Sequence, residues 1–118
     1  MENEGRKILH NKDLKVTCTC VRVPVLRSHC ISLSLKCEKD LSVEEVKKAL
    51  NKQDGVVLYD NPSQNQYPTP LLTSNQDKVY VGRIRKDRAL EGGISLFCAG
   101  DQIRKGAAAN AVSIIKCL

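Results

Sequence analysis

Apolar side chains recur at every second position in one stretch of the chain, where Ile31, Leu33, Leu35 and Cys37 alternate with Ser32, Ser34 and Lys36. A period of two predicts a strand with one buried face and one polar face. Upstream, residues 14–26 are rich in Val, Thr and Cys and predict a strand interrupted at Pro24. Residues from about Glu2 to His10 have the pattern of the end of a helix, with no capping residue ahead of it. Ser42-Val43-Glu44-Glu45 is a capping box, in which hydroxyl and carboxylate satisfy free amides at a helix start. The helix it opens should run to about Gln53, bury Val43, Val46, Ala49 and Leu50, and stop before Gly55. A short strand, Val56 to Tyr59, follows. Residues 60–77, with Pro62, Pro68 and Pro70, predict a long surface loop. Strands are then expected at Lys78 to Arg85 and Gly93 to Ala99, joined by a turn at Leu90-Glu91-Gly92-Gly93. Asp101 is the candidate N-cap of a last helix reaching about Lys116, with Ile103, Ala107, Ala111 and Ile114 at helical spacing and a slim side at Gly106 to Ala109. Strands outnumber helices, and the pattern as a whole is that of an α+β domain.

Composition narrows what such a domain does. A chain of 118 residues, 42% hydrophobic and 27% charged, fits one soluble unit with a modest core. No run approaches the ~20 apolar residues that span a bilayer, and the first residues lack the apolar centre of a signal peptide, so a cytoplasmic location is expected. The formal charge is +6, but the basic residues are dispersed and aromatics make up only 3%, which leaves little to stack on bases. No nucleic-acid or membrane partner is expected. Of the six cysteines, only Cys18 and Cys20 lie close together, and no second pair completes a metal-ligand spacing. The thiols are expected reduced, small and buried, with no metal.

Two polar residues stand out against their surroundings. Arg22 and His29 lie in a stretch, Cys20-Val21-Arg22-Val23-Pro24-Val25-Leu26-Arg27-Ser28-His29, whose other members are largely apolar. Either Arg22 pairs with a buried carboxylate and His29 is a satisfied interior imidazole, or the guanidinium holds an anion and the imidazole moves protons. In a continuous strand they would lie about 23 Å apart and on opposite faces, too far to share a small substrate. A shared site requires a bend, expected at Pro24 or near Arg27-Ser28.

Four ordered segments carry a resemblance. Cys20 to His29, Asn65-Gln66-Tyr67-Pro68-Thr69-Pro70-Leu71, Val81-Gly82-Arg83-Ile84-Arg85-Lys86-Asp87, and Asp101-Gln102-Ile103-Arg104-Lys105-Gly106-Ala107-Ala108-Ala109-Asn110-Ala111 together resemble the C-terminal part of aspartate-semialdehyde dehydrogenase. The resemblance implies a mixed, mainly antiparallel sheet with flanking helices, part of the catalytic and dimerisation domain of the glyceraldehyde-3-phosphate-dehydrogenase-like fold. Residues 1–100 would be a partial substrate-binding and dimerisation domain, and 101–118 a helix returning to a nucleotide-binding domain. It further implies NADP- and phosphate-dependent interconversion of aspartate semialdehyde and aspartyl phosphate through a cysteine thioester, in lysine, threonine and methionine biosynthesis, by a homodimer or homotetramer. By place in the motifs, His29 resembles the general acid/base, Arg22 the substrate-carboxylate ligand, and Gln102 the residue that meets the nicotinamide carboxamide.

The departures are equally specific. The family's nucleophilic cysteine follows an asparagine, and none of the six cysteines here does. Cys30 stands where serine is more usual. The chain is therefore expected to be a C-terminal fragment, catalytically inactive alone and marginally stable. Two alternatives remain at this point: a fragment of the related N-acetyl-glutamyl-phosphate reductase, and a non-catalytic binding or dimerisation module.

Overall fold

The computed structural model describes residues 2–118, with the side chain of Glu2 left aside. Four strands form one sheet: β1 (His29–Leu35), β2 (Val56–Leu58), β3 (Val79–Lys86) and β4 (Ile94–Gly100). Their order is β1-β4-β3-β2, antiparallel except for the parallel pair β2 and β3, so the sheet is mixed and mainly antiparallel as expected. Helices α1 (Glu2–Ile8), α2 (Val43–Lys52), α3 (Pro70–Thr73) and α4 (Ala109–Ile115) complete the α+β fold.

The capping box behaves as its sequence requires. Ser42 Oγ accepts from the Glu45 N–H at 3.2 Å, and Glu45 Oε2 accepts from the Ser42 N–H at 2.8 Å. The α2 helix so started lays Val43, Val46 and Leu50 on β2 and β3, against a buried cluster of Val81, Ile84, Ile94 and Leu96. Ala49, expected inside, is exposed, because the inward stripe runs through Lys47 instead. One helix about 10 Å wide covers roughly two strands. That geometry explains why β1, at the opposite edge, keeps Ile31 40% and Leu35 43% exposed where a buried face was expected.

The hairpin between β3 and β4 depends on two local devices. At Gly82 a Cβ would overlap the Tyr59 carbonyl oxygen and lie 2.7 Å from Pro68 Cδ, so only glycine fits. Arg83 follows at φ 56°, and the register shifts between Gly82 and Arg85. Asp60 holds this bulge by accepting from the Arg83 N–H at 2.8 Å, while Lys47 Nζ lies 3.4 Å from its other oxygen.

Several expectations are corrected. Residues 14–26 form no strand. They run as an irregular arm with Val21 75%, Val23 54% and Leu26 fully exposed, because they pair with neither edge strand of the sheet, and residues of high β propensity make no strand without a partner. The loop at 60–77 is partly structured: a 3₁₀ turn at Pro62–Gln64 and then α3, whose N-cap Thr69 accepts from the Leu72 N–H at 3.3 Å. The last helix is unbroken from Arg104 to Ile115 but changes its hydrogen-bond pattern on the way. A π turn at Arg104–Ala108, with the permissive Gly106 at its centre, precedes α4. Its apolar side chains Ile103, Val112, Ile114 and Ile115 are more than half exposed. The cysteines are not interior: Cys37 and Cys117, with Cys18 and Cys20, are exposed, and only Cys30 and Cys98 are half-buried. The uncovered arm and helix are reflected in a radius of gyration of 15.0 Å, against about 13.5 Å for a compact chain of this length.

Candidate functional site

The arm reaches the sheet through two bends. At Pro24, which lacks a donor of its own, the Val25 N–H donates to the Val23 carbonyl at 2.9 Å and closes a three-residue turn. At Leu26 and Arg27 the chain turns again, and Ser28 adopts φ 78° before β1 begins at His29. No straight strand runs from Val21 to His29. The bends bring Arg22 and His29 to the lining of one cleft of about 470 Å³. Gln102, just beyond β4, lines the same cleft, with Cys30 and Pro70 on its walls.

All three side chains are exposed, and none makes a hydrogen bond or ion pair among the described residues. Arg22 has no buried carboxylate partner, and His29 is not an interior imidazole. Their guanidinium, ring nitrogens and amide are open to a ligand. His29 and Gln102 also border a smaller, mostly apolar cleft of about 200 Å³, with Ile31, Val79, Gly100 and Gly106. They therefore stand on the ridge between two hollows.

The frame of the cleft rests on polar atoms. Arg27 Nε donates to Asp101 Oδ2 at 2.6 Å, and the Asn75 N–H donates to the same oxygen at 2.7 Å. Asp101 Oδ1 accepts from the N–H groups of Ile103 at 2.9 Å and Arg104 at 3.2 Å, which is the capping role its position predicts. Asp101 is fully buried. Burial alone would raise its pKa, but the Arg27 guanidinium and the N–H groups of Asn75, Arg104 and Ile103 outweigh it and hold the carboxyl down to about 2. Beside it, Thr73 Oγ1, also fully buried, donates to Ser28 Oγ at 3.1 Å, and Ser28 Oγ lies 3.2 Å from Ser74 Oγ. Further out, Arg104 makes a two-pronged pair with Asp77, at 2.6 and 3.0 Å, and draws that carboxyl below its ordinary range.

The frame contains residues that sequence reasoning did not single out. Arg27 and Ser28 stand out in sequence only as an expected bend and Asp101 only as a cap, while Thr73 carries no signal. The buried-carboxylate pairing considered for Arg22 belongs instead to Arg27. Nothing in a one-dimensional pattern distinguishes the two arginines, because Asp101 is 74 positions away from Arg27. Burial pushes the Cys30 thiol up, and Cys98 up as well, with the neighbouring Cys30 adding to the rise. Neither has the lowered pKa of an activated nucleophile. No group of acidic, cysteine or histidine side chains among the described residues could hold a metal ion.

Comparison with known proteins places this geometry among relatives. Residues 1–105 match the model of the semialdehyde dehydrogenase dimerisation domain. Aspartate-semialdehyde dehydrogenase of Aquifex aeolicus is 49% identical over 115 residues, 98% of this chain and 34% of that protein. The enzyme of Campylobacter jejuni is 49% identical over 114 residues, 97% of this chain and 33% of its own length. Among solved structures, aspartate semialdehyde dehydrogenase II from Vibrio cholerae, also solved complexed with ASA, superposes with a TM-score of 0.88 at 35% identity, over 96% of this chain and 33% of that one. The chain thus spans about a third of the length of the curated relatives it matches.

Proposed function

Since the chain belongs to the semialdehyde dehydrogenase dimerisation-domain family, we propose that it is the substrate-binding and dimerisation portion of an NADP-dependent aspartate-semialdehyde dehydrogenase. The observation that carries this reading is the single cleft lined by Arg22, His29 and Gln102. The arm, the start of β1 and the residue beyond β4 bring to it a cation, a proton carrier and an amide, each without another partner among the described residues.

Each side chain then has a role suited to its chemistry. The Arg22 fork grips the carboxylate of aspartate semialdehyde through two parallel hydrogen bonds, which fixes the aldehyde carbon relative to His29. His29 accepts the proton of the attacking thiol and returns one to the substrate oxygen, since an imidazole nitrogen can serve as acceptor or donor. Gln102 fits the nicotinamide carboxamide, because an amide supplies both a donor and an acceptor and both are unengaged among the described residues. NADP, bound mainly by a domain outside this chain, would supply hydride acceptance for the oxidation. The reacting sulfur and most of the phosphate site would also come from outside: no cysteine here follows an asparagine, and the half-buried thiols are raised rather than lowered. Residues 101–118 would return to the nucleotide domain, consistent with the exposed apolar side chains of α4. The full enzyme would assemble as a homodimer or homotetramer. The relatives named above are aspartate-semialdehyde dehydrogenases, which disfavours the acetylglutamyl-phosphate reductase reading.

The test has two parts on the purified chain. Incubated with aspartate semialdehyde, phosphate and NADP, it should give no NADPH; turnover above background would overturn the division of labour. In nuclear magnetic resonance titrations, aspartate semialdehyde should shift Arg22 and His29 in the wild type and not in Arg22→Lys. Shifts centred elsewhere would overturn the assignment of the cleft.

A further inference from the structure

We propose that Asp101 is a positioning residue that keeps the two walls of the cleft in register, one carboxylate oxygen for each wall. The inference rests on the reading of the cleft given above. Oδ2 faces the arm and the loop, taking Arg27 Nε at 2.6 Å and the Asn75 N–H at 2.7 Å. Oδ1 faces the helix, taking the N–H groups of Ile103 and Arg104. Arg27 lies two residues before His29, and Asp101 lies one residue before Gln102. The preceding residue, Gly100, is the β-ladder partner of His29. A movement of this carboxylate therefore displaces the proton carrier relative to the amide.

The device needs two acceptors at one buried point. Ionised aspartate provides them; asparagine provides one acceptor and an NH₂ that can only donate. All four groups around Asp101 are donors, so asparagine must abandon one wall. Asparagine is a good N-cap, and its oxygen is expected to stay with Ile103 and Arg104. The NH₂ then meets the Arg27 and Asn75 donors, and the arm loses its anchor while the helix keeps its cap. This selective failure separates positioning from general support of the fold.

The experiment compares amide and histidine-ring spectra of the isotopically labelled chain as wild type, Asp101→Asn, Arg27→Gln, their double variant, and Ile94→Val as a control for lost stability alone. In Asp101→Asn, resonances of 19–29 and the His29 ring should move or broaden while those of 103–116 hold their wild-type positions. Arg27→Gln, which leaves the helix cap intact, should reproduce the arm pattern, and the double variant should add little to either, as expected for groups in one contact. Ile94→Val should lower stability and leave the His29 ring unchanged. An unmoved arm in Asp101→Asn or Arg27→Gln, equal movement of arm and helix in Asp101→Asn, or simple addition in the double variant would overturn the proposal. The wild-type titration with aspartate semialdehyde keeps the two inferences apart: its failure counts against the reading of the cleft, while the variant spectra still decide the joint.

Discussion

The two ends of the sheet are held together by different forces. Beneath α2, Ile94 and Leu96 pack with Val81 and Ile84 in a small apolar cluster, where shape and volume decide stability. At the other end, around His29 and Gly100, the chain is held by Asp101, Thr73 and Ser28, where the identity of single atoms decides it. Apolar contact tolerates replacement by a side chain of similar size. A buried carboxylate surrounded by donors tolerates almost nothing. The molecule places its least adaptable chemistry where ligand groups must be aimed, and its most adaptable chemistry where they need not be.

The comparison can be broken most forcefully at the apolar end. Leu96→Ala, at a site 7% exposed, should cost about 3 kcal/mol in urea unfolding while the His29 ring spectrum of the remaining folded protein stays as in the wild type. A shifted ring would mean that the ends are not independent. Gly82→Ala should cost about 2 kcal/mol by pushing Tyr59 and Pro68 off the bulge, with a loss of β3 amide protection that hydrogen exchange would register. Ser42→Ala should cost about 1 kcal/mol, confined to α2, and a loss much larger than that would show the capping box supporting more than its own helix.

Acid sharpens the contrast. The Asp101 carboxyl falls from an ordinary 3.8 to about 2 on folding, so the stability it lends is present above pH 4 and is lost as pH falls through 2. Asp87, held well below the usual carboxylate range by the Ser95 and Ser34 hydroxyls and the Ala89 and Leu90 amides, acts in the same direction further from the cleft. Between pH 4 and 2 the wild type should lose stability more steeply than Asp101→Asn, followed by circular dichroism at a fixed urea concentration. Parallel curves would remove Asp101 from the account.

The same contrast explains what could be read beforehand. The capping box, the four sheet strands and the turn at Gly92 follow from neighbours within a few positions, and each lies within about two residues of its expected place. The arm at 14–26 differs from its expected strand because β propensity describes fitness for a sheet surface, not whether the segment meets a partner strand. The Thr69-Pro70 pair did carry a helix-start signal, an N-cap followed by proline, which the surrounding prolines and amides obscured. Arg22, His29 and Gln102 were nameable from motifs, but Arg27 and Thr73 acquire meaning only through partners about 45 to 75 positions distant.

The pairing of β1 with β4 also sets an order of events in time. His29 meets Gly100 across about 70 intervening residues, whereas the β3 and β4 hairpin closes over a short turn and α2 forms locally. Closing the long loop carries the larger entropic cost before any contact offsets it, so it belongs late in folding. A chain emerging from the ribosome, or refolding from urea, should therefore acquire its hairpin core first and remain without a cleft until its two ends meet. In stopped-flow refolding, a probe at His29 should lag behind one at Phe97 if the cleft is the last part of this molecule to come into existence.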